Sequence, residues 1–140
     1  ISRVARCEQC STPPRSVLGV PHVARARTLT SGFAQPFQPL ITEAAWGTVW
    51  SGNHWTQRER SMVTLALLAA LGQDEELAMH VRATANTGAT EADIREALLH
   101  VAIYAGVPAA NHAFKIAKLA LASMKADSSL DNSGDGEETK

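Results

Sequence analysis

Aromatic residues make up only 5% of the 140 positions, cysteine occurs twice, and neither charge sign dominates. No apolar run approaches the ~20 residues that span a bilayer, so no membrane partner is expected. The amino end, ISRVARCEQCSTPP, lacks an apolar core of signal-peptide type, which makes the cytoplasm the expected compartment. Cys7 and Cys10 form a single CxxC with no second pair and no histidine nearby, too little for a zinc site. They read as incidental cysteines in an irregular arm, the alternative being a functional dithiol. A net charge of −1 excludes the basic balance of a nucleic-acid binder. There is no HExxH or similar ligand spacing, no Gly-rich phosphate loop and no GxSxG elbow, so no metal is expected.

What the chain does have is alanine. It supplies 24 residues, and it is the best helix former. Hydrophobic types total 45% and charged types 19%, as in an ordinary globular domain, and the length fits one domain. A core of small aliphatic side chains implies closely packed helices that bury little area per residue, a shortfall that oligomerisation would offset. Charge is unevenly placed. Residues 126–140 carry Asp127, Asp131, Asp135, Glu137 and Glu138 against Lys140, while the rest holds twelve basic and nine acidic side chains. Such a mildly cationic body suits a small anionic ligand.

The breakers and periodicities divide the chain into an irregular arm (1–14), a helical domain (15–125) and a polar acidic tail (126–140) expected to be disordered. Arg15 to Ala26 reads as a short helix or turn docking on the body, and Leu29 to Pro39 as a linker. A helical period begins at Leu40 and stops at Ser51-Gly52-Asn53. Thr56-Gln-Arg-Glu59 is a capping box opening a helix so apolar from Met62 to Leu71 that it should be central, with Gly72 as its stop. A second helix opens with Asp74, Glu75 and Glu76 and ends before Gly88. Thr90-Glu-Ala-Asp93 caps a third, with Ile94, Leu98, Val101 and Ala105 on one stripe. The last begins at Pro108, buries Ile116, Ala117 and Ala120, and runs to about Lys125. The expected fold is all-α, with five or six helices and short connections.

Few side chains qualify for chemistry. His80 lies mid-helix with Glu76 one turn before it, an i, i+4 pair on one face. A carboxylate there would hold the imidazole tautomer and favour its protonated form, which suits a general acid. From spacing alone the plainer reading, an exposed helical pair worth a few tenths of a kcal/mol, is favoured. Arg58 and Arg60 sit at a helix start, where the dipole disfavours cations, so one of them could hold an anion or a facing carboxylate; solvated surface fits equally well. The corner from Ala102 to Asn111 could present free amides to an anion, or simply pack. His100 and His112, on Ala/Leu-rich helices, read as core or interface histidines.

The stretch from His54 to Phe114 closely resembles the carboxymuconolactone decarboxylase family. It carries Arg-x-Arg before an apolar Thr-Leu-Ala helix, Glu-Leu-x-x-His, Gly-x-Thr-x-x-Asp/Glu and Tyr-x-Gly-Val-Pro-Ala-Ala, in the family's order. RSVLGVPHVARA and FQPLITEAAWGTVW extend the resemblance upstream, to about residues 15–123. It implies a compact helical bundle of the alkyl hydroperoxidase D-like type, oligomeric as a trimer or hexamer. It also implies cofactor-free decarboxylation of 4-carboxymuconolactone to the β-ketoadipate enol-lactone in protocatechuate breakdown. On this resemblance His80 is the proton donor and Glu76 its orienting partner, while Arg60, and less directly Arg15 and His22, hold carboxylates. The superfamily's thiol peroxidases carry Cys-x-x-Cys-x-x-x-His; aligned on His80, those cysteines fall at Gln73 and Glu76. That departure favours the decarboxylase branch over a thiol-dependent peroxidase. A non-catalytic, oligomer-forming binding protein is the other alternative.

Overall fold

A computed structural model describes residues 15–19 and 32–131, which form helices and turns with no strand among them. The arm with Cys7 and Cys10, His22, and residues 132–140 lie outside the described residues. After a helical turn at 15–18 come α1 (Phe37–Ile41), a π-helical stretch (Thr42–Trp50), α2 (Gln57–Leu71), α3 (Asp74–Thr87), α4 (Glu91–Tyr104) and α5 (Val107–Asp131). The all-α expectation is met. The chain divides into two compact units, Ile1–Val63 with Ala83–Ala89, and Thr64–Arg82 with Thr90–Lys140.

In the first unit the turn at 15–18 is docked as its sequence suggests. Val17 is fully buried. The Asn86 side-chain amide donates to the Val17 carbonyl (2.9 Å), and that of Gln57 donates to the Ser16 hydroxyl (3.1 Å). Helix α1 begins at Phe37 rather than at Leu40, because Pro39 falls in its first turn, where backbone amides have no intrahelical partner to lose. The following stretch was expected as ordinary α-helix and is instead π-helical. Its Thr48 hydroxyl donates to the carbonyl of Glu43, five residues back (3.0 Å), and Trp46 packs on Trp50 with centroids 5.4 Å apart.

The capping box that opens α2 forms as read. The Thr56 amide and hydroxyl both donate to Glu59 Oε2 (2.7 and 2.8 Å), and the Glu59 amide donates to the Thr56 hydroxyl (3.2 Å). These bonds, the backbone one first, hold the Glu59 carboxyl below the ordinary range. A lowered folded value stabilises the protein above the unfolded value, and that contribution disappears as pH falls through the folded one. Glu59→Gln should therefore lower Tm at neutral pH, and the gap from wild type should close on acidification below about pH 4. A gap that stays constant down to about pH 3 in thermal melts would contradict this account.

The second unit contains the hydrophobic core. Leu65 and Ala69 of α2, Leu77 and Val81 of α3, Ile94, Leu98 and Val101 of α4, and Ala110, Ala113, Ala117 and Ala120 of α5 are all buried. Alanine thus provides most of the α5 contribution and lets that helix approach closely. Ile116, expected on the buried stripe, is only partly buried, and Ala105 lies past the end of α4 and is exposed. The chain turns sharply after α2 and α4 at Gly72 (φ 68°) and Gly106 (φ 108°), left-handed positions that favour glycine. The Thr90 cap is reciprocal, its hydroxyl accepting from the Asp93 amide and the Asp93 side chain accepting from the Thr90 amide.

Two expectations need correction. Helix α2 is not central on all sides: Leu65 and Ala69 are buried, but Leu67 and Leu71 are 56% and 70% exposed. Helix α5 continues to Asp131, beyond Lys125 and into the stretch expected to be disordered. No glycine or proline interrupts it there, and Ser128 and Ser129 hydroxyls bond back to the carbonyls of Met124 and Lys125.

Candidate active site

Helix α3 positions His80. Its three acidic residues lie in the first turn, where the dipole favours them. Its apolar residues at Leu77 and Val81 are 1% and 0% exposed, and drawing them into the core carries His80 inward to 8% exposure. Burial rules out the plainer reading of an exposed helical pair. Glu76, one turn earlier, is exposed, and its carboxylate takes part in no hydrogen bond or ion pair among the described residues. Its carboxylate does not hold the imidazole in this structure. Asp74 is paired instead with another histidine, Oδ2 lying 2.8 Å from Nε2 of His112. Sequence reasoning missed that pair because its partners are far apart in the chain. His112 and His100 are both exposed, and His100 stacks on Tyr104 with centroids 6.2 Å apart, so neither belongs to the core.

Arg60 lies in the first turns of α2, in the first unit. Its Nη2 donates to the Gly52 carbonyl (3.1 Å), which ties the connection before α2 to the helix. A Cβ at Gly52 would meet Nη2 at 2.7 Å, so glycine allows this close approach. No ion pair joins Arg60 to Glu43 or Glu59 among the described residues, and Glu59 is occupied by the cap. The Nε–H of Arg60 is buried and makes no hydrogen bond among the described residues. A buried, unsatisfied donor on a cation is costly, and an anion relieves that cost better than a neutral acceptor does.

Arg15 is exposed on the docked turn, in the same unit as Arg60, whereas His80 and Glu76 belong to the other unit. His22 lies outside the described residues. No three His, Cys, Asp or Glu side chains are grouped as metal ligands among the described residues.

These features define a helical protein with a buried histidine on α3 and, on α2, an arginine whose buried Nε–H finds no acceptor among the described residues. The model of the carboxymuconolactone decarboxylase family matches residues 35–119, and the chain belongs to that family. It is 45% identical over 102 residues to the 4-carboxymuconolactone decarboxylase of Acinetobacter baylyi, covering 73% of this chain and 76% of that protein. It is also 44% identical over 94 residues to the nitrosuccinic acid decarboxylase npaB of Metarhizium robertsii, covering 67% of this chain and 66% of that protein. Both relatives are decarboxylases by name, which leaves the thiol-peroxidase alternative unfavoured.

Proposed function

We propose that this protein decarboxylates 4-carboxymuconolactone to the β-ketoadipate enol-lactone, without a cofactor, in protocatechuate breakdown. The observation that carries the reading is the 45% identity to a 4-carboxymuconolactone decarboxylase over most of both chains. The chemistry needs only side chains. As the C–C bond to the departing carboxylate breaks, its electron pair moves through the ring double bond into the lactone carbonyl. The resulting dienolate is then protonated on carbon. The protein must hold carboxylates, stabilise the developing oxyanion and deliver a proton, and electrostatics is the larger contribution.

In this reading His80 is the proton donor, and its burial keeps the imidazole away from bulk water. Glu76, one turn before it on α3, is its orienting partner, a contact that its exposed carboxylate would make when substrate is bound. Arg60 holds a substrate carboxylate through the donor left spare by its Gly52 bond, and Arg15 and His22 are further cations for the anionic lactone. The protein works as a homo-oligomer, a trimer or hexamer, in the cytoplasm. Support for assembly comes from Ile103, Tyr104 and Val107, which are 78%, 85% and 67% exposed around the end of α4. No helix among the described residues is long and apolar enough to cross a membrane.

Nitrosuccinate is the second reading, favoured by the 44% identity to a decarboxylase of that acid. It too is an anion whose departing carboxylate lies near an electron-accepting group. Measuring kcat/KM for both substrates separates the readings. A preference for the lactone is expected, and a preference for nitrosuccinate would overturn the assignment.

A further inference from the structure

We propose that the cleft between α4 and α5 binds a small amphiphilic monocarboxylate, at a site built from none of the residues assigned to decarboxylation. The cleft is open to solvent on one side and has a volume of about 400 Å3, within the ~300–1,000 Å3 of small-molecule sites. Its cause is in the sequence. Ala117 stands between the larger Phe114 and Leu121 on α5, which leaves a recess between those two side chains, backed by the buried Ile94 and Leu98 of α4. Ile94, Leu98 and Ala117 are buried, giving an apolar floor, and Phe114 and Leu121 are partly buried walls.

The rim is cationic. Arg95, Lys118 and Lys125 line it against one acid, Glu91. Glu91 is bound to Lys125, Oε2 to Nζ at 3.1 Å. The side chains of Arg95 and Lys118 make no hydrogen bond or ion pair among the described residues. The lining therefore offers an apolar base and two uncommitted cations at the mouth. A hydrocarbon alone leaves those cations unused, and a polyanion would have to desolvate charge against Ile94 and Leu98. A compact apolar body with one carboxylate satisfies both parts, the carboxylate pairing with Arg95 and Lys118. Charge complementarity selects this occupant over a second copy of the chain.

The test uses the full-length protein and 1-naphthoate as the probe, with binding followed by methyl shifts of Ile94, Leu98 and Ala117. Saturable shifts at these methyls are expected at millimolar ligand or below. The neutral 1-naphthamide should bind about tenfold more weakly or worse. Arg95→Gln with Lys118→Gln should weaken naphthoate by a similar factor. Ala122→Trp, at an exposed lining position, should abolish the shifts while leaving 4-carboxymuconolactone turnover at its wild-type level. Absence of shifts at these methyls, equal binding of naphthamide, or unchanged binding by the double variant would overturn the proposal. Loss of turnover in folded Ala122→Trp would make the cleft part of the decarboxylating machinery, and would equally overturn it.

Discussion

His80→Gln should lower kcat by about 10²–10⁴-fold, the usual contribution of a general acid, and leave the protein folded. Glutamine approximates the volume and hydrogen bonding of imidazole but cannot transfer a proton in this pH range. That distinction matters because His80 is 8% exposed and lies between fully buried neighbours on α3. His80→Ala should lose as much turnover but also some stability, since a buried side chain is truncated. Thermal melts and steady-state kinetics on both variants keep the two effects apart. Glu76→Gln should cost less than either, because the imidazole itself remains. Wild-type-like turnover in both His80 variants would remove this residue from the reaction.

Arg60→Met should cut kcat/KM by about ten- to a hundredfold, the usual worth of a hydrogen bond to a charged group. The loss falls on KM if the contact is equal in ground and transition states, and on kcat if it strengthens as charge moves. Arg60→Lys should restore only part, since an ammonium lacks the guanidinium fork. The structure supplies the competing account, in which Arg60 serves only to tie the Gly52 carbonyl to α2. Gly52→Ala addresses it directly. The added Cβ would sit 2.7 Å from Nη2 and push the guanidinium aside without removing its charge. It should lower kcat/KM less than Arg60→Met does, with little change in Tm. A destabilised Arg60→Met with unchanged kcat/KM would reduce this arginine to a structural tether.

How much of this was legible beforehand depended on how local the determinant was. The boxes at Thr56/Glu59 and Thr90/Asp93 are written within four residues, and both form as read. Gly72 and Gly106 end helices because a left-handed residue is needed at those points, a requirement that glycine advertises. The π-helical stretch was not legible, because apolar spacing at Ala44, Ala45 and Val49 fits an α-helix equally well. The exposed face of α2 was hidden for a related reason: an apolar run tells nothing of which side meets the core.

At the site, the Glu-Leu-x-x-His motif marked His80, but spacing alone could not show that His80 is buried and Glu76 exposed. That difference arises because Leu77 and Val81 draw one side of α3 into the core while its acidic first turn stays in solvent. Arg60 stood out as a cation at an unfavourable helix end, yet its Gly52 bond crosses a connection whose path no local pattern encodes. The His112–Asp74 pair was missed for the same reason, being a product of packing rather than of periodicity.

The most direct measurement is incubation of the purified protein with freshly prepared 4-carboxymuconolactone in buffer free of added cofactor. Substrate loss, CO2 release and product are followed together. The account predicts one CO2 per lactone consumed, with the enol-lactone as product and the rate lowered by about a hundredfold or more in His80→Gln. Unchanged lactone and no CO2 above the uncatalysed background, from a folded protein, would contradict it.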